Sequence, residues 1–222
     1  MPLDFRIIPF ALLLFLSACG LDEFSEPPAV VFGEPQPAEV ENLPDFPARL
    51  QGNYRGLAEG NLLEIRNKCI ISTSSFEEKI LISELDSTLR LQADSLYDLR
   101  SGEKYQVQLK GDTIIRNFSF PDTVFKLNYD NVLRKFKGHY FLNTRLEGEN
   151  WDVKKLSPEK GRLLIGTIRS GEDIDALQSI TESAADTAFP RKFNLSRKQF
   201  REFLGKDGFR QQSIYIREKG LR

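Results

Sequence analysis

Along the middle of the chain apolar and polar residues alternate with a period of two, and the alternation repeats. Leu89-x-Leu91-x-x-Asp94-x-Leu96 recurs as Val107-x-Leu109-x-x-Asp112-x-Ile114 and as Phe125-x-Leu127-x-x-Asp130-x-Val132, at a constant spacing of 18 residues. A looser copy, Leu63-x-Ile65-x-x-Lys68-x-Ile70, lies earlier. Residues two apart share one face of a strand. Gly111-Asp112 and Asn67-Lys68 stand where the chain must reverse, and Gly and Asn tolerate the positive φ of a tight turn. Each copy therefore reads as a hairpin. Further strands are expected over residues 48–55, 62–65, 76–85, 138–145, 151–156 and 162–168, with turns at 147–150 and 158–161. About ten or more strands with short connections predict a mainly β fold, an antiparallel meander forming an up-and-down barrel or a strongly bent open sheet.

After Ile168 the period changes. Ile174, Leu177 and Ile180 recur at helical spacing. Residues 184–190 read as a loop. A second helix begins with a capping box, Ser196 to Gln199, and a hydrophobic staple, Leu195 to Phe200. Phe200, Phe203 and Leu204 give it one apolar face, and Gly205 or Gly208 ends it. Residues 213–217 alternate again, which suits one last strand.

The first residues follow neither period. An apolar stretch over 7–16 is shorter than the roughly 20 residues needed to span a bilayer. It follows Arg6 and leads into Leu16-Ser17-Ala18-Cys19. This arrangement resembles a bacterial lipoprotein signal peptide, with cleavage between Ala18 and Cys19 and lipid on Cys19. The resemblance implies a membrane-tethered envelope protein. Gly20 after the cysteine implies passage to the outer membrane, and Asp22-Glu23 resembles an export signal of surface lipoproteins in Bacteroidota. The periplasmic and outer faces both stay open.

Residues 20–48 contain no Lys or Arg, but seven acids and six prolines. Proline removes backbone donors, and like charges extend the chain. Residues 19–47 are accordingly expected to be an extended acidic linker. The resulting organisation is a signal at 1–18, the linker at 19–47, a β-meander domain at 48–169 and a helical segment at 170–222 packed on that domain. About 175 residues beyond the linker suffice for one good core.

Net charge over the whole chain is -1, which gives no electrostatic reason to expect nucleic acid. From Arg191 onward ten bases face three acids. The plainest reading is a solvated surface, with attraction to anionic lipid or envelope polysaccharide as the functional alternative. With Cys19 acylated, Cys69 has no partner thiol, and its place in Cys69-Ile70-Ile71 suggests a buried small hydrophobe.

Catalytic signatures are sparse. His139 is the single histidine, and no nucleophile elbow, phosphate loop or zinc motif accompanies it. Asp94, Asp112 and Asp130 offer one carboxylate per turn rather than a calcium cage, so they read as turn formers. Glu77-Glu78 is a candidate carboxylate pair for an envelope hydrolase. Gly52-x-Tyr54 resembles the first motif of lipocalins, Gly-x-Trp, with Tyr for Trp. That resemblance implies a barrel carrying a small apolar ligand. Tyr140-Phe141-Leu142-Asn143 followed by Trp151-x-Val153-x-x-Leu156 resembles a pattern in uncharacterised lipoproteins of Bacteroidota. The function expected first is a non-enzymatic binding or structural module needing no cofactor or metal. Its partners are the membrane, through Cys19, and an envelope protein, anionic lipid or polysaccharide, possibilities that include pairing along an exposed sheet edge.

Overall fold

The computed structural model describes Phe24, residues 26–182 and residues 188–218. The signal segment, Ala18, Cys19, Gly20 and Asp22-Glu23 lie outside the described residues.

Strands dominate. In chain order they are β1 (Val30–Phe32), β2 (Asn42–Leu43), β3 (Gly52–Gly56), β4 (Leu62–Ile65), β5 (Cys69–Leu81), β6 (Leu89–Gln92), β7 (Ser95–Asp98) and β8 (Lys104–Lys110). They continue as β9 (Thr113–Lys126), β10 (Asn131–Phe136), β11 (His139–Arg145), β12 (Trp151–Glu159) and β13 (Arg162–Thr167). Helix α1 (Gly171–Thr181), β14 (Arg191–Phe193), α2 (Arg197–Gly205) and β15 (Gln211–Arg217) complete the chain. One sheet runs β2-β10-β11-β12-β13-β15-β3-β4-β5-β9-β8-β7-β6, antiparallel along this path, and β1 joins β12 to β14 with a parallel β1–β14 contact.

The sheet is open but strongly bent. Nine strands, from β10 round to β9, send side chains into one core that includes Leu133, Tyr140, Leu156, Ile165, Tyr215 and Phe125. Phe46 and Leu50 plug it and are essentially inaccessible. A second core lies on the other face of β10–β12, where Phe141, Trp151 and Val153 meet α1 and α2 through Leu177, Phe200 and Phe203. These three strands are thus covered on both faces, and the helical end packs on the same domain. In α2 Ser196 and Gln199 form the expected capping box. Phe209 packs so closely on Gly166 that a Cβ there would meet it at 2.9 Å.

Three of the four repeated patterns are hairpins: β4–β5, β6–β7 and β8–β9. Gly111 turns the last of these at φ +64°. The copy around Asp130 is not a hairpin. β9 pairs with β5 and β8, and β10 pairs with β11 and β2. The turn after Lys126 carries the chain across the seam of the bent sheet instead. Strand β15 also enters between β13 and β3, which interrupts a simple meander.

The expected linker at 19–47 is corrected from Val30 onward. Val30, Val31, Phe32, Ala38 and Phe46 are buried, and burying each large apolar side chain stabilises by about 1.5–3 kcal/mol. The backbone of this proline-rich stretch finds partners on distant strands. Asn143 accepts from Gln36 N–H at 2.5 Å and donates to its carbonyl at 2.9 Å. Arg134 donates to the carbonyls of Pro35 and Pro37. Residues 42–46 clasp the seam: Leu43 pairs with Leu133, Phe46 N–H donates to Asn67, and Lys68 bonds both Pro44 and Asp45. Proline content described the lack of regular ladders here, not a lack of packing.

Candidate functional site

Strands β5 and β9 pair along their whole length, yet other strands cover only their ends. β4 pairs with β5 up to Thr73, and β8 pairs with β9 up to Arg116. Between these limits lies a two-stranded ribbon with no further strand on either edge among the described residues. Strand alternation places Ser74 opposite Phe120, Phe76 opposite Phe118 and Glu78 opposite Arg116 on one face. The same face enters the main core at Ile70 and Phe125, and a small distal core at Ile80, Ile114 and Val107.

The three phenylalanines stack. Ring centres are 4.8 Å apart for Phe76–Phe118 and 5.3 Å for Phe76–Phe120. The Arg116 guanidinium lies 4.4 Å from the Phe118 ring centre and 4.5 Å from that of Tyr105. Its Nε donates to Glu78 at 2.8 Å. The result is a continuous face of Tyr105, Arg116, Phe118, Phe76 and Phe120, electrically balanced by Glu78. Phe76 and Phe120 remain 53% and 54% exposed. Neither Phe118 nor Phe120 stands out in the sequence, and Phe76 reaches them only through the β5–β9 register.

The ribbon edges are guarded. Pro121 sits opposite Thr73 within the β5–β9 ladder, so its missing N–H falls on the outer edge, where it interrupts any added strand. Glu77 and Lys79 place charge on β5.

A cavity of about 340 Å³ opens between the end of β9 and the paired strands β11 and β12. Residues 26–28 roof it, Val124 and Phe125 form one wall, and Leu142 and Lys154 form the opposite wall. The main core beside it is filled by side chains. The lipocalin resemblance implied a ligand inside a barrel, and in this open sheet Phe46, Leu50, Tyr140 and Tyr215 are buried in the core beside the cavity.

Other expected chemistry does not converge. Glu77 and Glu78 are adjacent on a strand and face opposite ways; one pairs with Lys79 and the other with Arg116. Asp94 accepts from Gln106, Asp130 pairs with Arg145, and Asp112 bonds Thr113, so each turn aspartate serves its own neighbourhood. Cys69 is half-buried rather than buried, because Ile70 takes the inward position on the strand. Several of the basic residues near the end are engaged. Arg210 pairs with the buried Asp173, Arg197 and Arg201 lie over Phe136, and Arg217 donates to the carbonyls of Arg49 and Gln51.

His139 Nδ1 shares a 2.8 Å hydrogen bond with Ser157 Oγ. Burial, helped by the Lys155 charge, holds its pKa below the ordinary 6.5. A depressed folded pKa means that the unfolded chain takes up the proton first as pH falls. This contribution to stability is therefore full above pH 6.5, declines below it and levels off once the folded state also protonates. His139→Gln is expected to flatten that part of the decline when melting temperature is followed from about pH 7 to about pH 5.

In comparisons with known proteins, no family model, curated protein or solved structure matches the chain. Among the described residues no helix is long and apolar enough to cross a membrane.

Proposed function

We propose that this chain is a lipid-anchored binding module of the cell envelope, acting by contact rather than catalysis, and that it grips a protein partner through the inner face of the β5–β9 ribbon. The observation that carries this reading is the stack of Phe76, Phe118 and Phe120, held rigid by cross-strand pairing yet more than half exposed at two of its rings. Exposed contiguous apolar surface marks interaction sites, and aromatic residues with Arg dominate the energetic centres of protein interfaces. The balanced Glu78–Arg116 pair favours an apolar protein surface over anionic lipid or polysaccharide. Pro121 favours use of the face over strand addition at the edge. The proposed tether is lipid on Cys19.

One membrane experiment tests both parts. Cys19→Ala is expected to leave the membrane fraction; if it stays there as wild type does, the anchor reading fails. With Cys19 intact, Phe76→Ser/Phe120→Ser is expected to lose the co-purifying envelope protein, because each aromatic anchor is worth about tenfold or more in affinity. Undiminished capture by this double variant rejects the ribbon face.

A further inference from the structure

We propose that the cavity roofed by residues 26–28 is a binding site for a neutral, single-chain amphiphile of the acyl-ester or acyl-amide class. Its volume of about 340 Å³ lies in the range of small-molecule sites, which favour barrel mouths and combine apolar walls with a few polar groups. Phe24, Val124, Phe125, Leu142 and Leu146 supply apolar walls suited to an alkyl chain. The polar end is built from Thr144, Asp152 and Lys154, placed together because Thr144 pairs with Asp152 and Leu142 with Lys154 across β11 and β12.

Lys154 selects the head. Its residue is 8% exposed, and its ammonium donates to Asp152 and lies 5.9 Å from the Phe24 ring centre. An ammonium carries three donors, and among the described residues one of them goes to Asp152. Leaving an ammonium donor dry is costly, and an ester or amide oxygen accepts from it. A carboxylate head fits less well. The Lys154 charge is already balanced by Asp152, and Glu26 at the rim is balanced by Arg169 at 2.8 Å. Among the described residues lining the cavity, no unmatched positive charge remains to hold an anion. This site shares none of the stacked rings of the ribbon and does not depend on a protein partner.

Calorimetric titration of the unlipidated Cys19→Ala chain tests the assignment without a competing attached acyl group. Monodecanoylglycerol is expected to bind saturably and about tenfold or more tighter than decanoate at alkaline pH. Leu146→Trp, which fills the cavity from a half-buried wall position, is expected to abolish binding with an unchanged urea midpoint. Thr144→Trp repeats the block from the polar end should the first variant prove unstable. Phe76→Ser/Phe120→Ser is expected to bind as wild type does, which separates the cavity from adsorption on the exposed rings. No binding, binding that survives both tryptophan variants, binding lost only with the ribbon rings, or equal affinity for the two probes each overturns the proposal.

Discussion

Phe200→Ala is expected to lower the unfolding free energy by about 3–5 kcal/mol, the loss of a large buried side chain plus the cavity left behind. Phe200 is wholly buried and meets Phe141 edge-on at 5.0 Å, with Phe209 at 6.2 Å. It thereby ties α2 to the outer face of β11. Phe209 in turn rests on Gly166 of β13, so the site has little freedom to collapse around a void. A loss of this size is a large part of the 5–15 kcal/mol typical of a whole domain. Urea unfolding should show a lower midpoint with an unchanged slope. Phe189→Ala, at a residue 72% exposed, should change little. Similar midpoints for the two variants would mean that the helices do not form part of the same cooperative core.

Asn143→Leu is expected to cost about 2–5 kcal/mol while nearly preserving volume. The side chain of Asn143 serves both the N–H and the carbonyl of Gln36, and both residues are fully buried. Leucine orphans those two backbone groups, each worth about 1–3 kcal/mol when left dry. The effect should concentrate on residues 30–46. Amide exchange at Gln36 should accelerate strongly, and proteolysis should begin in this stretch, while amides of β4 and β13 stay protected. Unchanged exchange at Gln36 would show that the segment is held by other contacts.

The two substitutions separate what was readable in the chain from what was not. The capping box of α2 and the hairpins at Ala93-Asp94, Gly111-Asp112 and Asn67-Lys68 were legible because each depends on residues within a few positions. The pattern around Asp130 looks the same locally and behaves differently. Which strand β9 joins is settled by burial against β5, far back in the chain. Residues 30–46 were misjudged for a related reason. Their prolines and acids predict an extended linker, but the stretch folds through bends and turns onto Asn143, Arg134 and Lys68, which are remote in sequence. The ribbon face and the cavity were hidden in the same way, since Phe76 and Phe118, or Val124 and Lys154, meet only through strand register.

By itself, then, the sequence determined the β class, three of the four repeated turns, the two helices with the N-terminal cap of α2, and the expectation of a tether at Cys19, because alternation, capping and signal patterns are short-range. Only the tertiary structure decided that the sheet bends without closing, that the acidic stretch clasps its seam, and that stacked rings and a roofed cavity come to the surface. Those outcomes depend on which distant faces exclude water together, and that choice is made by the whole set of buried contacts at once.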